Sequence, residues 1–115
     1  MALPEEGYLL RIFIGESDKH AGKPLHEWIV IQARQQGLAG ATVLRGMMGF
    51  GANSRVIHTF KIERLSEDLP IIVEIVDTLE KLEQFLAFID SEIHAGLATL
   101  EKAQVRFYRS GKASS

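Results

Sequence analysis

The hydrophobic period of the chain changes once between Ile71 and Ile93, from two to about 3.6, and that change requires a strand followed by a helix lying on it. In the strand, Ile71, Val73 and Ile75 share one face and Ile72, Glu74 and Val76 the other, a β-branched run interrupted by one glutamate. Asp77 is placed to cap the helix, with Glu80 three residues on as its reciprocal partner. Leu79, Leu82, Phe85, Leu86, Ile89 and Ile93 repeat at helical spacing, and Gly96 stands where a left-handed terminator belongs.

The first half of the chain has the same grammar. Tyr8, Leu10, Ile12 and Ile14 alternate with Leu9, Arg11 and Phe13, which predicts a strand whose first set faces helices. A polar loop from Gly15 to Gly22 leads to Lys23-Pro24, and Pro24 near the first position introduces a helix that runs to about Gln36 and stops at Gly37. Leu25, Ile29 and Ala33 make its core stripe. Trp28 and Ile31 widen the apolar surface, so that Trp28 is either a flank of the core or a contact with a neighbouring chain. Ala41 to Arg45 reads as a strand, Phe60 to Leu65 as the return arm of a hairpin, and SEDLP as a break. A last strand is expected over Ala103 to Tyr108, with Ala103, Val105 and Phe107 inward and Gln104, Arg106 and Tyr108 outward.

Two β-α-β units sharing one antiparallel sheet make an α+β, ferredoxin-like domain with both helices on one face. The opposite face would carry Leu9, Arg11, Phe13, Ile72, Glu74, Val76, Gln104, Arg106 and Tyr108. An apolar patch of that kind predicts a homo-oligomer that buries it, with Arg11 or Arg106 answering Glu74.

The 115 residues fit one domain, with a core of about 8–108 and a fraying tail at 109–115. The absence of cysteine removes disulfides, thiolate metal sites and a cysteine nucleophile. A net charge of −2 gives no basis for general nucleic-acid binding, so electrostatic recognition must be local. The amino terminus lacks the basic start of a secretory signal, and no segment has the roughly 18 apolar residues of a spanning helix. The chain is therefore expected to be cytoplasmic, with no membrane insertion.

The run ATVLRGMMGFGANSRVIHT, from Ala41 to Thr59, is the candidate site. It passes through Gly46, Gly49 and Gly51, and three glycines in six positions indicate unusual dihedrals or a close backbone approach. From Arg45 to Arg64 the cations are Arg45, Arg55, Lys61 and Arg64, against Glu63 alone. A basic glycine loop suits an anion: Arg45 and Arg55 as charge-assisted donors, with the amides of Gly46 and of Gly49, Phe50 and Gly51 approaching a phosphate. The spacing G-x-x-G-x-G is neither the dinucleotide fingerprint nor a phosphate loop. Met47, Met48 and Phe50, with His58 nearby, offer an adaptable surface for a partner protein, which is the alternative to a small ligand. A second alternative is a divalent metal at Glu16, Asp18, His20 and His26, although their spacing fits no strong zinc pattern. Ser17, Ser54, Ser66, His58 and Asp90 supply the types of a catalytic set without anything that places them together, and an enzyme is not expected.

Three runs carry a family resemblance: LRIFIGESDKHAGKPLHEWIV, GLAGATVLRGMMGFG and LSEDLPIIVEIVDTLEKLEQFL. Together they resemble a small uncharacterised prokaryotic family regarded as PII-like, over nearly all of Tyr8 to Tyr108. More distantly the chain is similar to the PII signalling proteins, whose second strand also leads through a GFG triplet, here Gly49-Phe50-Gly51, into a long mobile loop. The resemblance implies a ferredoxin-like homotrimer with sheets inward and loops outward, a nucleotide effector in the cleft between subunits, and regulation of a target protein by loop rearrangement. The segment HAGLATLEKAQV has Gly96 but lacks the paired glycines followed by lysine of PII proteins. That difference speaks against ATP held in the PII manner and leaves a smaller nucleotide or another anion.

Overall fold

The computed structural model describes residues 5–51 and 68–111. Strand β1 (Glu6–Gly15) is followed by a two-rung hairpin of β2 (Lys19–His20) and β3 (Lys23–Pro24), helix α1 (Leu25–Gln35), strand β4 (Thr42–Arg45), strand β5 (Pro70–Asp77), helix α2 (Leu79–Ile89), a short 3-10 turn (Asp90–Glu92) and strand β6 (Leu97–Gln104). The main sheet has the order β4-β5-β1-β6, every neighbouring pair antiparallel. This is the expected ferredoxin-like arrangement. The expected return arm over Phe60 to Leu65 lies outside the described residues; β4 pairs with β5, with Val43 opposite Val73 and Arg45 opposite Ile71.

Alternation decides which side is core. Leu10, Ile12, Ile14, Ile71, Val73 and Ile75 are buried against Leu25, Ile29 and Ala33 of α1 and Leu82, Phe85 and Ile89 of α2. Each of these large side chains, withdrawn from water, contributes roughly 1.5–3 kcal/mol. Trp28 and Leu86 are partly buried flanks of this cluster. Helix α1 begins one residue after the expected proline, because Pro24 holds φ at −56° and ψ at 133° as the cap. It ends as expected, at Gly37 with φ of 79°, where only glycine is unstrained.

Three expectations for the second half are corrected. The cap of α2 is Thr78, whose side chain accepts from Lys81 N, whereas the Asp77 carboxylate is buried and employed elsewhere. Its Oδ1 accepts from Thr78 N at 2.7 Å and its Oδ2 from Ala39 N at 2.9 Å, tying the segment before β4 to the end of β5. Gly96 does not terminate α2: the helix ends at Ile89 and tightens into the 3-10 turn, and Gly96 instead opens β6. A Cβ at Gly96 would stand 2.7 Å from the Phe13 carbonyl oxygen, so the glycine is there for strand contact.

The last strand is displaced by six residues from the expected start, running over Leu97–Gln104 in place of Ala103 to Tyr108. Its pairing partner is decided by β1, with Leu100 opposite Leu10 and Leu97 opposite Phe13. The weakly alternating LATLEKAQ forms the strand because β1 has an unfilled edge there, an attraction outside local periodicity. Consequently Phe107, expected inward, is 71% exposed with the Arg109 guanidinium over its ring at 4.5 Å. Gln104, Arg106 and Tyr108 do not complete the open face, whose β6 residues are Leu97, Thr99 and Glu101 by register. Tyr108 instead donates its hydroxyl to the Ala39 carbonyl at 2.6 Å.

Arg11 answers Glu74, as expected, but within the chain. Its Nε lies 3.0 Å from Glu74 Oε2 and its Nη1 2.5 Å from Glu101 Oε1. The hydrogen bond donated to Glu74 leads the interactions that hold the Arg11 guanidinium above its ordinary value.

Candidate functional site

The end of the sheet where β1 and β4 finish and β5 begins gathers the candidate residues. Gly15 pairs with Pro70 and Arg45 with Ile71, so the two chain ends of the glycine loop emerge side by side. Gly46 N donates to the Pro70 carbonyl at 2.7 Å, extending the ladder by one bond into the loop. A Cβ at Gly46 would meet Pro70 Cγ at 2.7 Å, and one at Gly49 would meet it at 3.3 Å. The first two glycines therefore lie against the proline ring, the close approach that the sequence indicated. Gly51 has nothing within 4 Å of an added Cβ, and no packing reason for its glycine exists here.

Arg45 lies at the mouth of this loop with its guanidinium paired to the Glu16 carboxylate. A cation held by an internal carboxylate can accept an external oxyanion by exchange of partners. Met47, Met48 and Phe50 are 88%, 59% and 71% exposed. Arg55 and His58, the other two candidates, lie outside the described residues.

Residues that the sequence reading did not assign to the site complete its floor. Asp68, read only as a turn former, accepts from Ser17 N at 3.1 Å and Ser17 Oγ at 2.7 Å. A Cβ on Gly15 would collide with the same Asp68 carboxylate. Glu16 N donates to the Leu69 carbonyl at 2.8 Å. The GES triplet directly after a strand, matched by an aspartate two residues before the strand it pairs with, was the available signal.

The four residues of the metal alternative are dispersed among other partners. Glu16 goes to Arg45, Asp18 Oδ2 accepts from Gly15 N at 2.9 Å, and His20 Nε2 lies 2.7 Å from Glu92 Oε1. His26 Nδ1 is buried without a partner, and among the described residues no group of three or more possible ligands converges. Among the same residues no helix is long and apolar enough to cross a membrane.

A cleft of about 580 Å³ opens at the same end of the sheet, beside β6. Leu86, Ile89 and Ile93 form its apolar wall, and Asp90, His94 and Gly96 are among its lining residues. This is the segment that corresponds in position to the glycine-rich segment of PII proteins. Since β4 and β6 are separated by β5 and β1, three strand spacings put the loop base and the cleft about 14 Å apart within one chain.

A family model, DUF190, described as Uncharacterized ACR, matches residues 7–105. A UPF0166 protein of Aquifex aeolicus (strain VF5) is 41% identical over 97 residues, covering 84% of this chain and 90% of its own length. Among solved structures, the nitrogen regulatory PII-like protein CPII from Thiomonas intermedia K12, bound to ADP, AMP and bicarbonate, superposes with a TM-score of 0.63 at 18% identity, over 87% of this chain and 88% of its own. A signaling protein of Thermus thermophilus described as PII-like gives 0.59 at 20% identity, over 87% and 89%. The likeness to these structures establishes a PII-like, ferredoxin-like fold.

Proposed function

Because this chain belongs to the DUF190 family, we propose that it is a PII-like regulatory protein: a cytoplasmic homotrimer that binds a small anion at the loop base, between subunits, and thereby changes its contact with a partner protein. The observation that carries the reading is the loop base itself. Gly46 and Gly49 lie against Pro70 where a side chain would collide, and Arg45 stands beside them with an exchangeable carboxylate partner. Arg45 and Arg55 supply charge-assisted donors, and the backbone from Gly49 to Gly51 is free to turn its amides to a phosphate. The role is binding, with no catalytic residue assigned.

The placement between subunits follows from the 14 Å estimate. A ring of copies that sets the β6 side of one against the β4 side of the next brings the cleft rim at Gly96 to Arg45 of its neighbour. The open sheet face supports the same assembly, since Leu44 and Leu97, 44% and 58% exposed, extend the apolar band of Leu9, Phe13, Ile72 and Val76 across all four strands.

CPII is bound to ADP, AMP and bicarbonate, so these join ATP and cyclic AMP in the deciding experiment, calorimetric titration of the wild type and of Arg45→Ala and Arg55→Ala. Saturable binding weakened about tenfold by either change, ~1.4 kcal/mol, is the expected outcome. Heat signals absent for every ligand would sink the anion reading. A second reading, an adaptor without a small ligand, is favoured by the exposure of Met47, Met48 and Phe50. In that case Met47→Ala and Met48→Ala weaken partner binding while Arg45→Ala leaves it unchanged.

A further inference from the structure

Residues 16–20 cross the end of the sheet and are fastened at both extremities. At the loop base Glu16 pairs with Arg45, and Ser17 is held by Asp68. At the far end His20 Nε2 meets Glu92 Oε1 at 2.7 Å, and the imidazole lies on the Trp28 ring with centroids 4.1 Å apart and planes 19° from parallel. Trp28 in turn stacks on Phe88 of α2 at 6.3 Å. Between the two ends the Asp18 carbonyl accepts from Leu25 N at 2.8 Å, which sets the segment against the start of α1. The β2–β3 hairpin presents His20 through a turn with Ala21 and Gly22 at φ of 52° and 81°.

Glu92 belongs to the 3-10 turn that leads into His94 and Gly96 on the rim of the cleft. The segment thus joins the two places that the ligand reading needs together. The groups facing His20 are Lys23 across the hairpin, Glu92 from the turn, and Trp28 from α1 with Phe88 behind it. Ser91 Oγ donates to the other Glu92 oxygen at 3.1 Å. The hydrogen bond from His20, followed by that from Ser91, holds the Glu92 carboxyl below the ordinary carboxylate range, so it is anionic wherever histidine titrates.

We infer that residues 16–20 form a strap with a proton-operated latch, fastened when His20 is charged and loosened when it is neutral, which links loop base and cleft rim to pH. The imidazolium is attracted by the Glu92 carboxylate and by the indole face, while the neutral ring retains only a hydrogen bond and stacking. The strap stands independently of the ligand proposed above.

Trp28 is the single tryptophan of the chain, so intrinsic fluorescence reads the latch directly. The full-length protein is titrated through the histidine range, from about pH 5 to 8, with amide resonances followed in parallel. The expected result is a one-proton change in Trp28 emission, quenched at the acid end by the stacked imidazolium. It is abolished in His20→Gln and moved down by about half a pH unit in Glu92→Gln. The amides of Glu16 and Gly46 shift with the same midpoint. Emission that stays flat, or that titrates alike in wild type and Glu92→Gln, overturns the latch even if His20→Gln does not fold. Titrating emission without movement at Glu16 and Gly46 overturns the strap.

Discussion

The two faces of one sheet differ in how they are finished. On the helix-covered face Leu10, Ile12, Val73 and Ile75 are at most 1% exposed, and α1 and α2 supply their complement from the same chain. On the other face Leu9, Phe13, Ile72 and Val76 are only half-buried, around a row of Glu74, Arg11 and Glu101 that spans β5, β1 and β6. The residues of β1 alternate between these environments one by one, so a single strand carries both a closed core and an unfinished surface. The difference shows that apolarity alone does not define a core; a second layer must be available to it.

The largest test breaks the covered face. Phe85, 1% exposed at the centre of α2, should cost about 3–5 kcal/mol when replaced by alanine, measured by chemical denaturation. Next, Asp77→Ala strips two backbone amides of their acceptor in a buried setting. A loss of about 2–4 kcal/mol is expected, with faster amide exchange at Ala39.

The open face should respond through assembly rather than through the fold. Phe13→Ser is expected to cost the isolated chain about 1 kcal/mol or less, and to reduce the sedimenting mass toward one chain. An unchanged mass would remove the oligomer from this face. Arg11→Met should change stability by no more than about 1 kcal/mol, since the guanidinium pairs are more than a third exposed. A loss of several kcal/mol would mean that the row is buried in the working assembly, where an unpaired Glu74 is costly.

The smallest effect is the pH dependence of Glu92. Its folded-state value is lowered, chiefly by the His20 hydrogen bond, so its contribution is complete above the unfolded carboxyl value and disappears as pH falls through the lowered one. Thermal melts of wild type and Glu92→Gln should therefore differ near neutrality and converge in acid.

Much of this architecture was legible before any coordinates. Strands β1 and β5 and helix α1 were readable because their residues alternate or repeat cleanly, and the glycines at 46 and 49 announced a close approach that proved to be to Pro70. Strand β6 was misplaced because LATLEKAQ has little period of its own, whereas AQVRFY imitates one. Asp77 was misread because a carboxylate before a helix serves a cap or a distant amide equally well on sequence grounds. Ala39, 38 residues away, took it. Likewise Glu16, His20 and His26 suggested one ligand set by proximity in sequence, and the fold sent Glu16 to Arg45 and His20 to Glu92.

The sequence by itself determined the element types, the covered face and the glycine loop, because periodicity, β-branching and glycine act over a few residues at a time. Tertiary structure alone decided the partners: which edge β6 fills, which amide Asp77 receives, and which carboxylate holds Arg45. Hydrogen bonds and ion pairs form between groups brought together by the folding of distant segments, and local pattern carries no record of that distance.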